Sequence, residues 1–177
     1  MPPSNVLRMR GSTDRSLNIP TSSITNAGQL ALVNTLNGLD GFGLTAPISA
    51  NFGANLDKNS VKMGSSVRVF EVTKNATTQA ITGVVRELGT ADLLATTSSN
   101  TSSLVLLPLK PLKESTSYLV VLTKGILGSD GNPVNASSAY LLAKSTTALS
   151  GDYAALEPLR QLVNNQETVA ASQGVAS

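Results

Sequence analysis

The stretch SLVLLPLKPLKESTSYLVVLTKG, residues 103–125, decides the fold. Ser103–Leu107 is almost wholly apolar, which is typical of a central strand that is buried on both faces. Pro108 and Pro111 end this strand, because proline cannot donate a backbone hydrogen bond to a neighbour. Ser117–Thr123 is a second run, rich in the Val, Leu and Tyr that suit a half-buried sheet. The stretch therefore predicts two β-strands joined by a proline-containing loop.

Further strands are predicted on both sides of this stretch. Apolar residues alternate with polar or small ones from Ile48 to Phe52, the period of a half-buried strand. The other predicted strands are Ser66–Thr73, Ile81–Leu88 and Ala139–Ser145, with a possible helical turn in the link Asp57–Met63 and a tight turn at Ser129–Pro133. Short strands divided by Gly, Pro, Asn and Asp indicate a mainly β fold, an antiparallel β-sandwich rather than alternating βαβ units.

Two short helices are predicted to flank the strands, at about 27–37 and 152–169. Thr25 or Asn26 can cap the first helix, and Asn37-Gly38 can end it with residues that tolerate a positive φ. Asp152 can cap the second helix, which carries a stripe of Leu and Val. The chain then divides into three parts: an extended N-terminal segment with a short helix (1–44), the β-sandwich (45–147), and a C-terminal helix and tail (148–177).

Composition narrows the class of protein. The chain has 177 residues, of which 41% are hydrophobic and 14% charged, and a formal net charge of +2. That size fits one domain. There is no cysteine, which excludes disulfides and zinc ribbons. There is no basic run with interleaved aromatics, so nucleic acid is not an expected partner. No apolar stretch approaches the roughly 20 residues of a membrane span, and the first residues lack the apolar core of a signal peptide.

Catalytic motifs are missing from the sequence. A Ser-His-Asp or Cys-His site needs an imidazole to take and return a proton, and the chain has no histidine. Gly64-Ser65-Ser66 lacks the closing glycine of a G-x-S-x-G nucleophile elbow. No lysine has a serine three residues before it, so a Ser-Lys pair is not indicated either. We therefore predict no catalytic residue.

The acidic residues do not form a recognisable site. They are scattered along the chain, although two of them could still meet in space as an acid–base pair. They are Asp14, Asp40, Asp57, Glu71, Glu87, Asp92, Glu114, Asp130, Asp152, Glu157 and Glu167. Ser129–Asn132 could be read as part of a calcium loop, but its composition favours a hairpin turn. We predict no metal ligand, no cofactor and no cofactor-binding residue.

The order of several segments resembles a known family. These segments are NVLRMRGSTDRSLNIP, LNGLDGFGLTAPISANF, LDKNSVKMGSSVRVFEV, LVLLPLKPLKESTSYLVVLTKGI, DGNPV and ALEPLRQLV. Together they are similar to the N-terminal domain of bacterial virulence-factor lipases, which are extracellular or surface-attached lipases and lysophospholipases. The stretch from Pro47 to Thr146 also looks like a bacterial Ig-like domain. Both resemblances imply a sandwich, and the second makes it Ig-like.

The resemblance also implies a function. In that family this domain precedes an α/β-hydrolase domain, which carries the nucleophilic serine and its histidine. We therefore expect a fragment of a longer protein: a non-catalytic accessory domain whose partner is the C-terminal hydrolase domain. The parent would be a carboxylic ester hydrolase, secreted or on the outer-membrane surface of a Gram-negative bacterium, and lipid would be a ligand of the parent only. The alternative is a stand-alone Ig-like binding or adhesion module, and direct enzymatic activity ranks last.

Overall fold

The fold comes from a computed structural model that describes residues 19–38, 43–97 and 101–175. Most of the predicted extended N-terminal segment, and the turn at Asp40–Phe42, lie outside the described residues. The elements run along the chain as α1 (Ala27–Asn37), β1 (Ile48–Asn51), β2 (Val67–Lys74), β3 (Ile81–Leu88), β4 (Leu93–Thr97), β5 (Ser103–Pro108), β6 (Ser117–Leu122), α2 (Ser138–Ala143) and α3 (Glu157–Ser172). Single 3-10 turns occupy Lys58–Ser60 and Gly151–Leu156.

The strands form two three-stranded sheets. The first sheet has the order β1-β5-β4 and the second has the order β3-β2-β6. All neighbours in both sheets are antiparallel, as the sequence predicts. The chain crosses from the second sheet to the first between β3 and β4, and it returns between β5 and β6. The mainly β, antiparallel character of the prediction is therefore confirmed.

An inter-sheet core holds the two sheets together. Its buried residues come from both sheets and from the loops between them: Leu56, Val61, Val67, Val69, Leu88, Leu93, Leu104, Leu106 and Ile126. Strand β5 is central in its sheet, as predicted, but only one of its faces is fully buried. Leu106 is 0% exposed, whereas its neighbour Leu107 is 38% exposed on the outer face. The expectation that β5 is buried on both faces is therefore wrong.

A second, helix-side core lies on the outer face of the second sheet. Its buried residues are Phe70, Val72, Ile81, Leu119, Ala170 and Val175. Alternation along β2 explains the two cores, because Val67 and Val69 point to the first sheet while Phe70 points to α3. The second sheet is therefore covered on one face by the first sheet and on the other by α3.

The segment predicted as the last strand is a helix. Ser138–Ala143 forms α2, and the side chain of Ser137 caps it by accepting a hydrogen bond from the backbone N–H of Tyr140 at 3.2 Å. A short apolar run does not distinguish strand from helix by its period alone, and here the Ser cap and the Ala and Leu content decide for helix. Strand β4, Leu93–Thr97, was not predicted; it forms the outer strand next to β5.

The ends of the flanking helices differ from the prediction in detail. Asn26 caps α1 by accepting from the backbone N–H groups of Gly28 and Gln29. Gly38 ends this helix with a φ of −77°, so the positive φ expected there is not used. Helix α3 begins at Glu157, since Gly151–Leu156 is a 3-10 turn and Asp152 lies inside it rather than capping α3. Pro158 fits the second position of α3, where no helical partner for its N–H is needed.

Candidate functional site

A charged cluster lies where the β3–β4 and β5–β6 connections meet the second sheet. Glu71, on β2, is the buried centre, with a side chain 7% exposed. Its Oε1 accepts from Lys113 Nζ at 2.8 Å, and its Oε2 accepts from Arg86 Nε at 3.1 Å. Arg86 Nη1 also donates to Asp92 Oδ2 at 3.0 Å. Lys113 lies in the β5–β6 connection and Asp92 in the β3–β4 connection, so Glu71 and Arg86 hold these two of the three inter-sheet connections to the second sheet.

This cluster brings two carboxylates close together but does not make them an acid–base pair. A glycosidase-type site needs one carboxyl group with a raised pKa to act as the acid. The hydrogen bond from Lys113 lowers the pKa of Glu71, helped by Arg86. The bond from Arg86 and that from the Gly89 N–H lower the pKa of Asp92. Both groups are therefore ionised near neutral pH, and their chemistry is that of structural ion pairs.

A second polar cluster joins the two C-terminal helices. Tyr140, on α2, donates from its hydroxyl to Glu167 Oε1 on α3. Lys144 Nζ contacts the other oxygen of Glu167 at 2.8 Å. Burial and the bond to Glu167 raise the pKa of Tyr140, so this phenol does not serve as a base near neutral pH. Burial alone would raise the pKa of Glu167, but the bonds from Lys144 and Tyr140 lower it overall.

A third cluster fixes the start of α3. Arg160 forms two bonds to Glu157, with Nη2 to Oε1 at 2.6 Å and Nε to Oε2 at 2.8 Å. Glu157 Oε2 also accepts from the Leu149 backbone N–H at 2.8 Å, and Arg160 Nη1 donates to the Ser145 carbonyl at 3.1 Å. The Arg160 bonds and the Leu149 bond lower the pKa of Glu157 to about 2. The pair therefore anchors the loop after α2 to α3.

The predicted turn is confirmed at Ser129–Pro133. Leu127 and Pro133 form an antiparallel bridge, and Gly131 has a φ of 79°, the left-handed conformation that glycine adopts at no steric cost. Asp130 Oδ1 accepts from the backbone N–H of Asn132 at 3.1 Å, which is the bonding of an Asx turn. Within the described ranges no three or more His, Cys, Asp or Glu residues gather as a cation would require.

The described residues form a shallow, polar depression of about 420 Å³. It is lined by Gly64, Ser65, Arg68, Thr123, Lys124, Gly125, Gly174 and Val175. Ligand sites for apolar molecules are usually lined by aliphatic and aromatic side chains. This lining of glycines, hydroxyls and two cations does not suit an acyl chain. In the same described part of the chain, no helix has the length and apolar character to cross a membrane.

Sequence reasoning named none of these ion pairs. Glu71 and Lys113 are 42 positions apart, and Arg68 bonds to Glu87 from 19 positions away. The charge of Glu71 in the middle of an apolar strand was one available signal, because an unpaired carboxylate there would be costly. It predicts a cation nearby but does not say which one. The i,i+3 spacing of Glu157 and Arg160 in the predicted helix was a second signal.

These observations define a small, two-sheet, helix-backed module whose charged groups hold its own elements together. The chain belongs to the bacterial virulence factor lipase N-terminal family, which it matches over residues 3–177. No curated protein and no solved structure matches it significantly. Membership agrees with the resemblance seen in the sequence, and an N-terminal domain of a lipase implies a linked catalytic domain.

Proposed function

We propose that this chain is a non-catalytic accessory domain, an Ig-like sandwich in its arrangement, of a secreted or surface-attached bacterial lipase or phospholipase. It supports, presents or helps to fold the hydrolase domain that follows it in the same polypeptide. The observation that carries the proposal is the family match over nearly the whole chain. The family name gives the chain an N-terminal position in a lipase, and this position supports a role beside the hydrolase domain.

The chemistry of the chain supports this division of labour. A lipase of the serine type needs a histidine, and this sequence contains none. The carboxylates of Glu71, Asp92 and Glu157 have lowered pKa values, because they form ion pairs with Lys and Arg side chains of the same module. Such groups position loops and helices, which is the work of a scaffold. Lipid is then a ligand of the parent protein, reached through its α/β-hydrolase domain.

The proposal is tested by expressing the hydrolase with and without this module, in the host bacterium. We expect the truncated hydrolase to lose soluble yield, export or ester hydrolysis, because it lacks the domain that supports it. Full-length protein carrying Phe70→Ala, which removes the largest side chain of the helix-side core, should show the same losses without a deletion. A hydrolase that folds, reaches the same location and turns over substrate equally well without the module would overturn the accessory role.

One observation favours the alternative of a binding or adhesion module. Two of the three tyrosines are exposed on the C-terminal helical face, Tyr140 by 41% and Tyr153 by 54%. Exposed tyrosines can stack on sugars. A glycan array probed with the purified chain tests this reading. A reproducible hit that is lost in Tyr153→Ala, with folding intact, would favour adhesion over support.

A further inference from the structure

The outer edge of β6 is the most open edge of the second sheet. In the described residues β6 pairs only with β2, and that pairing runs from Ser117 to Leu122 without a register shift. The opposite edge strand, β3, is interrupted by two register shifts and carries Arg86 and Glu87. Charged residues, prolines and bulges are the features with which natural sheets protect their edges. The sequence SYLVVL of β6 has no charged residue, proline or glycine, and its pairing with β2 has no bulge.

The hydrogen-bonding pattern of β6 shows which of its backbone groups point away from β2. Thr123 N donates to Ser66 O at 3.0 Å, which makes this a hydrogen-bonded antiparallel pair. Such pairs recur at every second residue, so the amides of Val121, Leu119 and Ser117 also face β2. The amides of the residues between them, Tyr118, Val120 and Leu122, therefore point away from the sheet. Their side chains pack on the inter-sheet core, so these amides sit at a half-buried edge.

The chain leaves α3 beside the C-terminal end of this edge. Arg68 Nη1 donates to the Gln173 carbonyl at 2.7 Å, and Val175 is 9% exposed in the helix-side core together with Leu119. Gly174 turns the chain with a φ of 74°. Thr123, which follows β6, lines the same depression as Gly174 and Val175. A strand that follows Val175 would therefore start near Leu122 and run towards Ser117, antiparallel to β6.

The two uncharged edge strands of the first sheet, β1 and β4, are less suitable. Strand β4 also pairs without a register shift, but it belongs to the first sheet. Val175 lies on the far side of the second sheet, in the helix-side core. A chain leaving Val175 would have to pass around the second sheet to reach β1 or β4, whereas Leu119 of β6 lies in the same core as Val175.

We propose that the polypeptide continuing beyond Val175 adds to the second sheet as a fourth strand, antiparallel to β6, with bonds to the backbone groups of Tyr118, Val120 and Leu122. The joint to the catalytic domain is then a strand of the module's own sheet rather than a flexible tether. This inference rests on the proposed function, because the occupant is the segment that leads to the hydrolase. A joint of this kind fixes the orientation of the hydrolase relative to α3 and the second sheet.

Residue-resolved hydrogen–deuterium exchange tests the proposal in the 177-residue chain and in the full-length lipase. In the 177-residue chain we expect the amides of Leu119 and Val121 to exchange slowly and those of Val120 and Leu122 quickly. In the full-length protein the exchange of Val120 and Leu122 should slow on the order of 100-fold, as a strand hydrogen bond protects them. Leu119 and Val121 are the internal control in both proteins.

Two outcomes would overturn the proposal. Fast exchange of Val120 and Leu122 in the full-length protein, beside slow exchange of Leu119, would mean that no strand is added. Protection of the same amides in the 177-residue chain that rises with protein concentration would mean that a second copy occupies the edge. The proposed function fails separately, if these amides are protected but the hydrolase works equally well without the module.

A pair of variants gives an independent readout. Val120→Pro removes an outward N–H and leaves the amides that face β2, a position that proline tolerates in an edge strand. In the full-length protein it should return Leu122 to fast exchange. Val120→Ala shortens the same side chain but keeps the N–H, and it should leave Leu122 protected. Equal protection of Leu122 in both variants would contradict the added strand.

Discussion

The side chain of Asn165 on α3 hydrogen bonds to both backbone groups of Ile81, the first residue of β3. Its Oδ1 accepts from Ile81 N at 2.6 Å, and its Nδ2 donates to Ile81 O at 3.1 Å. An amide side chain thus takes the place that a neighbouring strand would take. These two bonds satisfy the backbone N–H and C=O of Ile81 at the edge of the second sheet, and they fix α3 over that sheet.

Asn165→Ala is expected to destabilise the module by about 1–3 kcal/mol, because it leaves two part-buried backbone groups without their partner. Urea unfolding followed by circular dichroism measures the change. Gln166→Ala, on the next residue of the same helix, should change stability by less than about 0.5 kcal/mol. Equal effects of the two substitutions would contradict a specific role of the Asn165 amide.

Phe70→Ala is expected to cost about 3–5 kcal/mol, since Phe70 is 1% exposed between the second sheet and α3. The Arg68 guanidinium lies 4.9 Å from its ring centroid, so the substitution also removes a cation–π contact. Phe52→Ala, at a part-buried aromatic of the inter-sheet core, should cost less. Thermal unfolding compares the two, and Phe70→Leu provides a milder variant if Phe70→Ala does not fold.

Stability should fall in acid because of Glu157. Its pKa lies at about 2 in the folded chain, below the ordinary value of 4.5, owing to Arg160 and the Leu149 N–H. A lowered folded pKa contributes stability that is fully present above the unfolded pKa and is lost as pH falls through the folded pKa. The stability difference between the wild type and Glu157→Gln should therefore be constant above about pH 5.5 and shrink between about pH 4.5 and 2. Urea midpoints across this range measure it, and a difference that does not change with pH would refute the role of the carboxylate.

Ser137→Ala tests the helix found where the sequence predicts a strand. Loss of this cap should destabilise the chain by about 1 kcal/mol, because the Tyr140 N–H loses its acceptor. Ser138→Ala, one residue inside α2, should be neutral or slightly stabilising, since alanine is the better helix former. Denaturant midpoints of the two variants are compared. The opposite ranking would argue for the strand at Ala139–Ser145.

The sequence predicted elements wherever local pattern and tertiary environment agree. Strand β3 has the predicted bounds of Ile81–Leu88, because glycine follows it and half of its residues are the β-branched Ile, Thr and Val. The helix at Ser138–Ala143 was missed because a run of five or six apolar residues suits either structure, and a single serine cap decides between them. Strand β4 was missed because LLATT is short and takes its identity from pairing with β5.

Two clusters of the candidate site were beyond prediction for a related reason, because only the fold brings their residues together. Glu71 on β2 meets Lys113 in the β5–β6 connection, and Tyr140 on α2 meets Glu167 on α3. Glu157 and Arg160 differ, since they lie one turn apart on the same helix. The absence of histidine, by contrast, is a property of composition and needs no structure. The histidine content could therefore be judged from the sequence, whereas the ion pairs between residues far apart along the chain required the fold.

The cluster at Glu71 has a consequence for the response of the module to ionic strength. Mobile ions weaken interactions between exposed charges over a Debye length of about 8 Å at physiological salt, but they screen buried contacts much less. The Glu71 side chain is 7% exposed and touches Lys113 Nζ at 2.8 Å. Mobile ions reach the pair from the side of Lys113, whose side chain is 58% exposed. Added salt should therefore weaken only in part the contact that holds the β5–β6 connection to the second sheet.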